Sequence, residues 1–160
     1  MLLEELRARL PEDCIQIDAD VIEAYSQDRA VFEAAGTASI LVMPTSTDQV
    51  VAAVEAANAA DVPIVPRGAG TGLTGAANAV DGCMVLSLHR MNEILEIDTT
   101  NRTCRVQPGV INADLKAAVA EHGLFYPPDP ASVDMSSIGG NVATNAGGLC
   151  CVKYLSLIHI

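Results

Sequence analysis

The chain has 160 residues, half of them hydrophobic and 18% charged, which excludes a disordered tail and supplies enough apolar mass for a packed core. Aromatic residues make up 3% and Trp is absent, so the core is built from Ala, Val, Leu and Ile, as α/β layers are and aromatic-rich β-sandwiches are not. Twenty Asp and Glu against nine Lys and Arg give a formal charge of −11, which opposes binding to nucleic-acid phosphates and to anionic membrane surfaces.

Leu2, Leu3, Leu6 and Leu10 fall near helical spacing, and Pro11 stops the helix they predict over 1–10. These opening residues carry acidic charge where an export signal needs basic charge, and no apolar run is long enough to span a bilayer. A cytoplasmic location without membrane insertion is the expectation. Residues 12–36 are mixed in character, so 1–36 reads as an N-terminal helical segment ahead of a main domain at 37–154. Ser39 to Met43 predicts a strand closed by Pro44. Ser46, with Gln49 at capping-box spacing, opens a helix through Val50, Val54 and Ala57 that fades at Asp61. Val62 to Pro66 is the next strand, and strand–helix–strand with short joins predicts a parallel pair.

Cys83 to Leu88 reads as another strand. Glu93 to Asp98 and Thr103 to Val106 alternate apolar and polar residues around a polar turn, the pattern of a hairpin. Asn112 is placed to cap a helix running through Leu115 and Val119, with Gly123 as its stop. The last 30 residues are rich in Pro, Gly, Ser and Asn, which is loop chemistry.

Five cysteines, an odd number without CxxC spacing, fit neither a disulfide framework nor a zinc site and read as reduced thiols; the adjacent Cys150 and Cys151 leave a redox role open. The histidines at 89, 122 and 159 form no cluster, and His89 and His122 read as surface or packing residues. No metal site and no catalytic base are assigned. The informative segment is Arg67-Gly68-Ala69-Gly70-Thr71-Gly72-Leu73-Thr74-Gly75, which follows a strand. Its glycines let bare amides approach an anion, its threonines add hydroxyl donors, and Arg67 adds positive charge beside it. A pyrophosphate suits such a loop. Gly70-x-Gly72-x-x-Gly75 also matches the dinucleotide fingerprint, but the residues before the Asp81-Gly82 turn leave no room for the helix a Rossmann loop must open. A second segment, Ser136 to Gly148, repeats the combination of glycine amides and short polar side chains, behind the stiff stretch Tyr126 to Ser132. The two segments read as opposite walls of one elongated site.

PRGAGTGLTGAA, PPDPAS and SSIGGNVATNAGG, in this order, resemble the FAD-binding domain of the vanillyl-alcohol oxidase / p-cresol methylhydroxylase superfamily, and most of all the glycolate oxidase flavoprotein (D) subunit and FAD-linked D-lactate dehydrogenases. The resemblance covers residues 40–154, with weaker similarity at Tyr25 to Asp28. It implies an α+β, PCMH-type fold of two α+β subdomains, truncated in the second, in an N-terminal fragment of a longer enzyme. It implies FAD as cofactor, with the backbone of Arg67, Gly68, Ala69, Gly70, Thr71, Gly72, Leu73 and Thr74 at the pyrophosphate. Ser137, Gly140, Asn141, Thr144, Asn145 and Gly148 are then expected toward the flavin, with Asp129 and Pro130 nearby. The first loop lacks the histidine that bonds to flavin in some members, so the FAD is expected to be non-covalent. The implied substrate is a small 2-hydroxy acid, the implied partners are subunits of a glycolate oxidase complex, and catalytic residues are expected in a missing C-terminal part. Residues 155–160 depart from the pattern, match what a sequencing adapter encodes, and are expected to be a non-native tail. Two alternatives stay open: another FAD enzyme of the superfamily with different chemistry, and a non-catalytic dinucleotide-binding fragment, with NAD as the Rossmann-like ligand.

Overall fold

Leu6 and Leu10 lie one turn apart, so the first helix, α1 (Leu2–Arg9), turns an apolar edge inward and leaves Glu4, Glu5, Arg7 and Arg9 outside. Pro11 ends it, and one turn of 3₁₀ helix leads into the two-residue strand β1 (Ile15–Gln16). Asp18 caps α2 (Ala19–Tyr25) by accepting from the amides of Asp20 and Val21. The expected strand near 40 is β2 (Ile40–Val42), buried throughout. Ser46 Oγ accepts from the Gln49 amide at 3.3 Å and starts α3 (Thr47–Ala59). Only half of the expected capping box forms, because Gln49 Oε1 accepts from the amide and hydroxyl of Thr45 instead of reaching the Ser46 amide. β3 (Ile64–Arg67) and β4 (Met84–Ser87) follow. The computed structural model describes residues 1–154; the expected non-native tail at 155–160 lies outside the described residues.

The chain divides into two compact units, the first being Met1–Arg90. Its sheet has the order β1-β2-β4-β3, with β2 and β3 parallel to β4 and β1 antiparallel to β2. The strand–helix–strand unit is therefore parallel as expected, but its two strands do not pair with each other. β4 lies between them. All four of its residues are buried, as a central strand requires, whereas β3 carries Pro66, which cannot donate to a ladder and belongs at an edge. Strand alternation sorts the side chains onto two faces. Ile40, Val42, Met84 and Leu86 pack with Leu6 and Leu10 of α1 and with Ala53, Ala56 and Ala57 of α3. Leu41, Val65 and Val85 point the other way, against Ile22 of α2, Ala38 and Ala79.

The second unit begins at Met91. β5 (Ile94–Asp98) and β6 (Thr103–Val106) form the expected antiparallel hairpin, with a register irregularity between Ile94 and Glu96. The Asp98 carboxylate accepts from the amides of Thr100 and Asn101 at 2.9 Å and shapes the turn. α4 (Asn112–Ala120) packs Leu115 and Val119 with Val110 and Ile138, and Ile94, Ile97 and Val106 of the hairpin close over them. Asn112 does not cap this helix; Ile111 holds that position. The first amides already have main-chain acceptors, Asn112 giving to the Ser136 carbonyl at 2.9 Å and Ala113 to that of Val133 at 3.1 Å, so the Asn112 side chain is buried instead. The glycine-rich end is not all loop. It contains the short helix α5 (Ile138–Ala143) and a last helical turn, α6 (Cys151–Tyr154).

Met84 is fully buried and paired on both sides. Met84→Ala is expected to destabilise the first unit by about 2–5 kcal/mol, read as a lower urea midpoint with an unchanged m-value. Phe32→Ala, at a side chain 96% exposed, is expected to stay within about 0.5 kcal/mol.

Candidate functional site

β3 ends at Arg67, and no helix forms before β4 begins at Met84. The fingerprint glycines thus sit in a loop and not in a Rossmann turn, as the short spacing required. Gly70 and Gly75 take φ of +69° and +74°, the left-handed region that favours glycine. Among the described residues, no amide from Gly68 to Ala76 donates a hydrogen bond within the protein. A row of unpaired N–H groups on a partly exposed loop is a surface able to receive an anion.

The Arg67 side chain does not add its charge to that surface. Along β3 the alternation that buries Val65 buries Arg67 too, leaving it 9% exposed. Its Nη1 donates to the Gln27 carbonyl at 2.8 Å, and its guanidinium lies 5.8 Å from the centre of the Tyr25 ring. Burial lowers the guanidinium pKa from its ordinary value, opposed by Asp28 and Tyr25. A side chain at Gly70 would run into this guanidinium.

Residues 26–33 hold the loop at several points. The Arg29 amide donates to the Gly72 carbonyl at 2.9 Å, and the Ala79 amide to that of Ser26 at 2.8 Å. Asn78 accepts from the Asp28 amide through Oδ1 and donates to the Glu33 carbonyl through Nδ2. Asp28 and Asn78 escaped the sequence reading, and the only signal toward them was the weak similarity at Tyr25 to Asp28. Nearby, His89 accepts or donates at Nδ1 with Ser87 Oγ at 3.0 Å and packs its ring 5.6 Å from Tyr25. Burial, and then the Arg90 charge, lower its pKa, which suits a packing residue.

In the second unit Asp129 gathers the glycine-rich segment. Its amide donates to the Gly147 carbonyl, and its carboxylate accepts from the Cys150 amide, both at 2.9 Å. Gly148, at φ +79°, sits so close to the Asp129 carbonyl that a Cβ would collide with it. Pro130 is buried and accepts from the Val133 amide at 2.8 Å. Ser137 caps α5 by accepting from the Gly140 amide at 3.3 Å, and Thr144 Oγ1 donates to the Gly140 carbonyl at 2.9 Å. Asn145 holds φ 53°. Thr144, Asn145 and Gly148 are exposed, whereas Asn141 is 3% exposed with its Nδ2 unpartnered. The Asn112 side-chain Oδ1 and Nδ2 and Ser136 Oγ are likewise buried without partners among the described residues.

A groove of about 470 Å³ in this unit, between the hairpin and residues 123–127, includes none of the expected cofactor residues. No three His, Cys, Asp or Glu among the described residues could hold a metal, and no described helix is long and apolar enough to cross a membrane.

The family described as "FAD binding domain" matches residues 38–159. The chain belongs to this family. It is 42% identical over 153 residues to a D-2-hydroxyglutarate dehydrogenase of Stutzerimonas stutzeri, covering 96% of the chain and 33% of that protein. It is 47% identical over 148 residues to the glycolate oxidase subunit GlcD of Escherichia coli, covering 92% of the chain and 28% of the relative. Substrate-bound p-cresol methylhydroxylase superposes with a TM-score of 0.77 at 26% identity, over 91% of this chain and 29% of that one. The fold is thus the α+β, PCMH-type fold. The chain spans about a third of the length of the curated relatives it matches.

The hydrogen bond from the Cys150 amide holds the Asp129 carboxyl below its ordinary range. A lowered folded-state pKa means that the contact stabilises above the ordinary aspartate value and is lost as pH falls through the lowered one. The Cys150 amide resonance is expected to titrate with an apparent pKa below about 3.9, and not to titrate there in Asp129→Asn.

Proposed function

We propose that the chain is the FAD-binding part of a flavin-dependent 2-hydroxy-acid dehydrogenase or oxidase of the glycolate or D-lactate type. The observation that carries this is the row of amides from Gly68 to Ala76, unpaired among the described residues, on glycine-rich backbone in a chain of the FAD-binding family. The main chain of Arg67 to Thr74 receives the pyrophosphate. Asp129, Pro130, Ser137, Gly140, Asn141, Thr144, Asn145 and Gly148 serve the flavin side. Bound FAD supplies the acceptor for the substrate's hydride, while these residues bind and orient it. The loop holds no histidine, which supports non-covalent binding. A small 2-hydroxy acid as substrate and subunits of a glycolate oxidase complex as partners rest on the named relatives. The proposed location is the cytoplasm, supported by five cysteines that are all free thiols.

Equilibrium dialysis against FAD, riboflavin and NAD tests the assignment. FAD is expected to be retained above riboflavin and NAD; tighter retention of NAD overturns it. Gly70→Val places a β-branched side chain at a positive φ and against the Arg67 guanidinium. It is expected to weaken FAD retention by at least tenfold with the far-ultraviolet circular dichroism unchanged. In a version extended to the length of the relatives, anaerobic bleaching of the flavin by glycolate or D-lactate identifies the substrate class, and bleaching by neither removes it.

A further inference from the structure

We infer that Asp28 is a positioning residue for the pyrophosphate loop, clamping it in its binding shape before any ligand arrives. The inference rests on the assignment of that loop to pyrophosphate. A carboxylate beside a diphosphate site is unfavourable on charge alone, so its place there calls for another contribution. Asp28 is 9% exposed, and its two carboxylate oxygens and its amide each fix a part of the loop or of the segment beneath it. Oδ1 accepts from the Ala30 amide at 2.8 Å, which sets the bend from Asp28 to Ala30. Oδ2 accepts from the Ala77 amide at 3.5 Å, and it lies 3.2 Å from where a Cβ on Gly72 would stand. The Asp28 amide donates to Asn78 Oδ1 at 2.8 Å, and the next amide, of Arg29, donates to the Gly72 carbonyl. Asp28, bonded to Ala77 and Asn78, and its neighbour Arg29, bonded to Gly72, together tie the middle of the loop to its end. The Arg67 guanidinium, donating to the Gln27 carbonyl beneath Gly70, holds the beginning and offsets the Asp28 charge.

The clamp matters because the loop has so little else. Its own amides from Gly68 to Ala76 make no hydrogen bond among the described residues, and glycine loses more conformational freedom on ordering than any other residue. Amides that must be ordered by the ligand bind it more weakly than amides ordered beforehand.

The test uses the 160-residue chain with Asp28→Ala, Asp28→Asn and, as a core control, Val42→Ala, a fully buried residue of β2. Three quantities are read: FAD affinity by fluorescence, backbone ¹⁵N order parameters of Gly70 and Gly72 without ligand, and the urea midpoint. Asp28→Ala is expected to weaken FAD tenfold or more and to lower both order parameters. Asp28→Asn keeps an acceptor for the Ala30 amide and restores most of each. Val42→Ala lowers the midpoint by at least as much with neither effect. Asn78→Ala, which releases the Asp28 amide, gives the same paired changes and carries the test if Asp28→Ala does not fold. Wild-type FAD affinity and loop order in the clamp variants overturn the inference, as does a core control that reproduces both losses. Failure of the unaltered chain to prefer FAD over riboflavin overturns the pyrophosphate assignment itself, while the ligand-free order parameters still decide whether Asp28 clamps the loop.

Discussion

A main-chain N–H without a partner is tolerated only where water or a ligand can take it. In the first unit a whole run of such groups is kept in one shape, and the surrounding architecture follows from that need. β3 delivers the run at its C-terminal end, and β4 anchors the return through a fully buried central strand. Arg67, the one strong cation of the segment, is turned beneath the loop as a support. The proposed pyrophosphate site is therefore offered main-chain dipoles, with the Arg67 charge buried beneath them.

The second unit solves a related problem by a different route. Its glycine-rich segment is shaped by α5, by the contact between Asp129 and Gly147, and by close approaches that only glycine permits, as at Gly139 against Pro108. The buried Asn112, Ser136 and Asn141 side chains lie at or beside this segment, with polar atoms that lack partners among the described residues. Such groups cost about 1–3 kcal/mol each, so this corner of the unit is held by the apolar contacts of Val110, Leu115, Val119 and Ile138.

What could be read from the sequence was what depends on neighbours in the chain. Strand and helix positions followed from periodicity, and the absence of a Rossmann helix followed from counting residues between Gly75 and Asp81. The misreadings involve distant partners. β4 inserts between β2 and β3, and the carbonyls of Ser136 and Val133 take the first amides of the helix that Asn112 was expected to cap. None of these is encoded within a window of a few residues. The inward turn of Arg67 was legible in principle, since it shares the parity of Val65 along a strand, but a basic residue beside a glycine loop invites the opposite reading.

The region matched by the family starts at Ala38, yet the unit that folds does not. α1 lies across α3, β1 fills the open side of β2, and residues 26–33 grip the loop from below. Trimming the chain to the recognised boundary would strip packing from the sheet, bare a strand edge to other molecules, and release the glycine-rich loop that residues 26–33 hold. The unit that folds thus begins upstream of the family match.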